Sequence, residues 1–573
     1  MATADAVSAP GASSRWSRWA LPAVSAGLAI AVLAPVLGRG FVLSYDMVFA
    51  PRQSLVPDAV GLGSSLPRSV PADAVIALAT AVVPGDIVQK LVLVLSIFLA
   101  AYGAGRLVPT ERLGTRLVAA TTYAWSAYVA ERLFIGHWPL LLTYACLPWI
   151  VKAGLAVRAR EPNALFTLII ACAPAVLTPP GGVLAAAAAV VSGGGRRAGQ
   201  TLGIALVLNL PWLVPTLLHS GGALSDPAGV VAFSARPESW GPAILSVLGL
   251  GGIWNAEVVP GSRGGPLTPA LIVLVVAIAL AGLRPLARRW GTAPTRSLTL
   301  LGVAGILFAS LATLPLGEPL LVWAMQHVPG AGLLRDAQKW VAWWALPFTM
   351  GFALAVESAA ARLRTAPARR GIVAAAALFP LLTMPDLAWA GWGRLHAVEY
   401  PSDWRAVSDV LSADPRPGDV LALPLSTFRR FEWNDFRTQL DPAPRALPRP
   451  VVVDDTLRVG TEVIGGEDTR IQDVRAATSA RDLSADGIGW ILVEHGTRTS
   501  VDPRLLADAT PVWSGQWLTL YRTPGETAVK TTSWTAVQLA NGVALALLCV
   551  ALLCRLLPMR TLGRGRIAKL EKE

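Results

Sequence analysis

The chain has 573 residues, 53% of them hydrophobic. It carries repeated apolar runs of about 20 residues, the length that crosses a bilayer, which excludes an ordinary soluble protein. The net charge of +12 comes from 49 lysines and arginines concentrated between those runs. The positive-inside rule accounts for them, so nucleic acid is not an expected partner. Only six of these cations are lysine, and with the abundant Ala, Gly and Pro this points to a GC-rich bacterial genome. Cys146, Cys172, Cys549 and Cys554 all fall in apolar runs and have no metal-ligand spacing.

In chain order, Arg15 and Arg18 precede an apolar run at 19–37, read as an uncleaved first transmembrane helix entering from the cytoplasm. The Pro-rich loop 39–86 is then outside, and its apolar piece at 72–83 suits an interfacial helix. Asp46 lies in this loop a few residues past the first span, at the membrane surface. A carboxylate there can serve as a general base, or simply cap a helix. Asp58 is the substitute in the same loop, and reads more simply as a turn residue after Pro57. Spans at 87–107, 117–133 and up to 157 follow. Arg106, Arg112 and Arg116 mark a cytoplasmic turn, and Glu131, Arg132, His137 and Trp138 an outside one. His137 can contact substrate or phosphate, or be an interface residue.

Two short apolar pieces, 165–177 and 183–191, flank Thr178-Pro179-Pro180-Gly181-Gly182 and read as tilted or broken helices. A span at 200–218 leads to an outside segment, 219–266. There Arg236 and Glu238 can hold sugar hydroxyls and Trp254 can stack on a ring; an ion pair and aromatic-belt residues are the plainer reading. After spans at 267–283 and 298–314, Arg335, Asp336 and Lys339 stand just before the next span, which runs to 357. Two cations outside the membrane run against the positive-inside trend. They can receive a phosphate leaving group, or snorkel, or pair with Asp336. A span at 372–390 closes the first part.

Residues 391–533 are polar, Pro-punctuated and free of spans. A helix signal at 402–411 and strand signals at 420–423, 451–453, 490–493 and 517–521 predict a small α/β domain outside the membrane. A last span at 534–556 ends in a basic tail. The expected fold is thus an α-helical polytopic membrane protein with about twelve spans, a count set by bilayer-length runs. It divides into 1–390, 391–533 and 534–573, with both termini cytoplasmic. No Walker A loop, dinucleotide fingerprint, nucleophile elbow or zinc spacing is present, so neither cofactor nor metal is expected.

The layout resembles the GT-C superfamily of membrane glycosyltransferases, in particular its actinobacterial arabinofuranosyltransferase-like and YfhO-like members. The residues that carry the likeness are Ser44-Tyr45-Asp46, Gly136-His137-Trp138-Pro139, Leu147-Pro148-Trp149 and Leu334-Arg335-Asp336-Ala337-Gln338-Lys339-Trp340, with Leu423-Pro424-Leu425 and the run from Arg429 to Asn434 beyond. The resemblance implies inverting transfer of a sugar from a polyprenyl-phosphate donor to a cell-envelope glycan or glycolipid, at the outer face of the bacterial plasma membrane. Asp46 is then the base, Arg335 and Lys339 bind the donor phosphate, and His137, Arg236, Glu238 and Trp254 contact substrate. The sequence departs from the family pattern in having one acid, not an acidic pair, in the first loop. Two rivals remain open. A transporter or flippase of a lipid-linked glycan calls for charges within the spans, and these are nearly free of charge. A non-catalytic assembly protein on the same frame would tolerate loss of Asp46.

Overall fold

The computed structural model describes residues 13–63, 68–219, 224–468, 470–527 and 535–556; the basic tail read at 560–569 lies outside them. Among the described residues, eight helices are long and apolar enough to cross a membrane, against the roughly twelve spans expected: Arg18–Val36, Gly85–Leu107, Trp138–Arg158, Gly195–Leu218, Thr268–Trp290, Thr292–Thr313, Ala337–Arg362 and Thr535–Leu556. Ala164–Ala175 and Pro179–Gly193 are shorter apolar helices, separated where Thr178-Pro179-Pro180 interrupts the backbone hydrogen bonding. Trp138–Arg158 and Ala337–Arg362 are the most enclosed of the long helices. Ala337–Arg362 packs closely on Thr268–Trp290: a Cβ at Gly282 would stand 1.7 Å from the Gly351 carbonyl oxygen, so the two backbones touch.

The single span expected at 117–133 is instead two helices, Leu113–Ala124 and Ala127–Phe134. The break falls at Ser126, whose side chain accepts from the Val129 N–H and caps the second helix. The interruption leaves the second helix to carry Glu131 and Arg132 into the protein interior, where both are fully buried. The apolar piece at 72–83 forms a helix, Ala72–Thr80.

Between residues 397 and 522 the chain turns to strands. A five-stranded sheet has the order Thr510–Ser514, Leu518–Arg522, Ile488–Glu494, Asp419–Leu423, Val451–Val452. The first two pairings are antiparallel and the last two parallel. Strand alternation sorts the core. Val420, Ala422, Trp490 and Leu492 pack with Trp404, Val407 and Leu411 of the helix Ser402–Ala413. Leu421, Leu423, Ile491 and Val493 pack with Ile471, Val474 and Leu483 on the other face. The helix and four strands read from sequence are all present. The added strand, Thr510–Ser514, sits at the sheet edge, contains Pro511 and is mostly exposed, so it lacks the apolar alternation that marks the others.

This region is tied to the first loop. Phe41–Val42 pairs antiparallel with Ala397–Val398. The hairpin of Phe428–Arg430 and Thr438–Leu440 grips Tyr45: its N–H donates to the Thr438 carbonyl at 2.6 Å, and its carbonyl accepts from Leu440 N–H at 2.8 Å. The Asn434 side-chain amide donates to the Leu43 carbonyl at 3.2 Å. The hairpin is itself pinned by Arg429, which is buried and pairs with Asp441 at 2.7 Å and with Glu494. Removing one partner of such a buried cluster strands the remaining charge. Arg429→Ala should therefore destabilise this region by about 3 kcal/mol, read as a lower midpoint of chemical unfolding followed by Trp fluorescence. An unchanged midpoint would show that the hairpin is held without the pair.

Candidate active site

A cavity of about 870 Å³ opens where the first loop, the 135–140 turn, the 335–339 segment and the strand hairpins meet. Asp46, His137, Arg236, Trp254, Arg335 and Lys339 all line it. Residues far apart in sequence therefore share one cavity.

Asp46 is placed by backbone. Met47 N–H donates to the Ser44 carbonyl at 2.9 Å and Ser44 N–H to the Met47 carbonyl at 3.3 Å, closing a tight turn. Asp46 N–H donates to the Ile135 carbonyl at 3.2 Å, and the Ser44 hydroxyl to the Phe134 carbonyl at 3.2 Å. This approach requires glycine at position 136. Its φ is +80°, and a Cβ there would stand 2.3 Å from Met47 N and 2.4 Å from the Ser44 carbonyl oxygen.

The turn brings Asp46 Oδ2 to 2.9 Å from His137 Nε2. His137 Nδ1 lies 2.6 Å from an Arg132 terminal nitrogen. Because arginine can only donate, Nδ1 accepts, and the imidazole proton sits on Nε2 and is donated to Asp46. Arg132 also forks onto Asp336, at 2.5 and 3.0 Å, and its Nε donates to Gln338 Oε1 at 2.7 Å. Burial alone would raise the Asp336 pKa, but the Arg132 guanidinium and its hydrogen bonds hold the carboxyl far below the usual range, so Asp336 stays ionised. Asp46 Oδ1 has no hydrogen bond among the described residues, and the Asp46 side chain is 37% exposed to the cavity.

The cationic wall is next to this chain. Lys339 is only 4% exposed; its ammonium lies 5.5 Å from the Trp340 ring centre and has no ion pair among the described residues. Arg335 stacks 4.9 Å over Phe233 and reaches Glu467 at 3.5 Å. That carboxylate is also taken by Arg68 at 2.6 Å. Phe233 in turn meets Trp254 edge-on at 4.8 Å, so one ring contacts both Arg335 and Trp254. The pairing of Arg335 or Lys339 with Asp336 considered from sequence is replaced by Asp336 with Arg132. Arg236 is exposed, with no ion pair among the described residues.

Glu238 departs from the sequence expectation. It does not line the cavity: its side chain is 2% exposed, accepts from Arg263 Nε at 2.7 Å and also accepts from the Gly252 N–H. It faces Glu131, whose pKa is pushed well above the ordinary carboxylate range by burial first and by the Glu238 carboxylate second. Glu238 thus braces the 236–253 loop. Arg132 is a residue of this network that the sequence leaves unassigned. The signal for it is a cation in a largely apolar helix, five residues before His137. Glu257, which accepts from the Tyr45 hydroxyl, was also unassigned.

The helical bundle and the strand region together have a fold with a solved counterpart. It is similar to the solved structure of the arabinofuranosyltransferase AftD from Mycobacteria, with a TM-score of 0.52 and 18% identity over 90% of this chain and 40% of that one. A mutant of the same enzyme gives 0.49 and 17% over 90% and 42%. The chain therefore spans about 40% of that enzyme's length, and the likeness is one of fold. No protein-family model and no curated protein sequence matches the chain.

The hydrogen-bond order makes a spectroscopic prediction. In ¹⁵N NMR of histidine-labelled protein, His137 should show a protonated Nε2 and an unprotonated Nδ1. Arg132→Gln should convert it to a mixture of tautomers, while an Nδ1–H signal in the unmodified protein would overturn the assigned order.

Proposed function

We propose that the chain is an inverting glycosyltransferase that moves a sugar from a polyprenyl-phosphate donor to a cell-envelope glycan or glycolipid, at the outer face of a bacterial plasma membrane. One observation carries this reading: the Asp46 carboxylate and the Arg335 and Lys339 cations line a single cavity in a GT-C-like fold. The fold neighbour is by name an arabinofuranosyltransferase, which supports sugar transfer as the chemistry.

In this reading the acceptor hydroxyl donates its proton to Asp46 Oδ1, the oxygen free of protein hydrogen bonds among the described residues, while Oδ2 is held by His137 Nε2–H. The acceptor oxygen attacks the anomeric carbon from the face opposite the phosphate. The bond from that carbon to the phosphate oxygen breaks, and its electron pair leaves on the phosphate. A phosphate monoester carries about −1.5 to −2 charges at pH 7, and the Arg335 guanidinium and Lys339 ammonium are the groups that receive them. Lys339 suits this role because a buried, unpaired ammonium gains more from an arriving anion than a solvated one. Trp254 offers its indole face to a sugar ring and Arg236 its guanidinium to hydroxyls or phosphate. The segment 391–533 is the extracytoplasmic part that meets the acceptor, and both termini are cytoplasmic.

Asp46→Asn keeps the shape of the side chain but removes the base. It should lower transfer by about 10²–10⁴-fold, the range for loss of general-base catalysis, with donor binding retained. Full activity in this variant would take Asp46 out of the mechanism. Lys339→Met should instead weaken donor binding by about tenfold or more, as expected for removing one charge-assisted hydrogen bond, measured by titration with a polyprenyl-phosphate sugar. Unaltered donor affinity would remove Lys339 from the phosphate site.

A further inference from the structure

The cavity carries more positive charge than one donor phosphate can use. Nine cationic side chains and four acidic ones line it. The acids are all engaged: Asp73 with Arg445, Asp336 with Arg132, Asp46 with His137 and Glu257 with the Tyr45 hydroxyl. Acids outside the lining hold Arg429 and Arg68, and Arg335 shares Glu467 with Arg68. Three arginines at the strand side of the cavity have no ion pair among the described residues. Arg430 ends the strand Phe428–Arg430 and donates to the Thr438 hydroxyl at 3.0 Å. Arg458 is exposed in the strand Leu457–Val459. Arg498 is exposed in the loop after Ile488–Glu494, stacked 4.4 Å over the Phe436 ring.

These three come from three separate segments yet border the same cavity. None is on the element that carries Arg335 and Lys339. Like charges lining one cavity repel, and they are tolerated at little cost only where water or an anion screens them. The stacking of Arg498 on Phe436 also fixes a guanidinium plane, the geometry that suits bidentate binding of an oxyanion. A membrane headgroup could supply an oxyanion too. An acceptor is favoured because the three arginines border the cavity that contains Asp46 rather than an outer apolar face.

We infer that Arg430, Arg458 and Arg498 form a second anion subsite, separate from that of Arg335 and Lys339, and that it takes a phosphate carried by the acceptor. The inference rests on the transferase reading for the word acceptor. The subsite itself does not. The substrate class is therefore a phosphate-bearing glycan or glycolipid, positioned by its charge so that a neutral hydroxyl elsewhere on it reaches Asp46.

The test uses the full chain in phosphatidylcholine nanodiscs and radiolabelled inorganic phosphate in equilibrium dialysis, so that occupancy is read without turnover. Two phosphates should bind per chain. Arg335→Ala with Lys339→Ala should leave only the rim phosphate. Arg430→Gln, Arg458→Gln and Arg498→Gln together should leave only the other, with rim affinity falling at least about tenfold for each guanidinium removed. The three rim residues are exposed and free of ion pairs among the described residues, so the triple variant keeps the fold; an unchanged far-UV circular dichroism spectrum checks this. Binding of one phosphate to the unmodified chain, or of two to the triple variant, overturns the inference. So does displacement of the rim phosphate when phosphatidylglycerol is added to the nanodisc, which would assign the rim to membrane headgroups. Failure of the transferase reading appears elsewhere, as full activity of Asp46→Asn, and leaves the two-phosphate result standing.

Discussion

The floor of the cavity depends on the Arg132 guanidinium. A fully buried charge costs several kcal/mol to desolvate, and it persists only where its partners are well placed. Here its donors are spread over Gln338, His137 and both oxygens of Asp336. One side chain thus joins the helix Ala127–Phe134, the turn that presents His137 and the segment entering Ala337–Arg362. Through His137 it reaches Asp46 as well. The network is satisfied as a unit, so losing any member leaves a buried polar group without its partner.

Backbone does the rest of the positioning. Tyr45 has a φ of +46°, sparsely allowed for a residue with a side chain, and its conformation is sustained by two backbone bonds to the Thr438–Leu440 strand. On the other side, Gly136 lets the 135–138 turn approach within van der Waals contact of Ser44 and Met47. The acid is therefore clamped between the helical bundle and the strand region. Its location is a property of the junction of the two, and neither part alone specifies it. This is why the hairpin pin at Arg429 belongs to the account of the site even though its chemistry is structural.

Much of this is legible in the sequence, for identifiable reasons. Long apolar runs and period-two strands report themselves because burial dictates their pattern. Ser44-Tyr45-Asp46, His137 and the Arg335–Lys339 segment stand out because charge at a membrane boundary is costly and needs a reason. What stays hidden depends on contacts distant in sequence. The break at Ser126 is a capping bond inside an apolar run, so the run reads as a continuous span. Glu238 and Arg236 read as a pair because they are neighbours in sequence, yet Glu238 closes onto Arg263 and Arg236 has no ion pair among the described residues. Arg132 looks like one more residue of a polar turn, and only the fold brings Asp336 and Gln338 to it.

The partition of charge in the cavity bears on how a carboxylate could work there as a base. Among so many cations, an acid would ordinarily be captured by an arginine, and a guanidinium-bound carboxylate is a weak proton acceptor. Asp46 escapes capture because the nearby arginines are already committed: Arg445 to Asp73, Arg68 to Asp455 and Glu467, Arg132 to Asp336. It receives instead a single imidazole N–H, which orients the carboxylate while leaving the other oxygen open to the cavity. Lys339 is the complement of this arrangement, a buried cation with no ion pair among the described residues, on which Asp336, committed to Arg132, acts only at longer range. Under the proposed chemistry the two are matched: Asp46 keeps one oxygen free of protein hydrogen bonds among the described residues for an acceptor hydroxyl, and Lys339, without an ion pair among them, stands ready for phosphate charge.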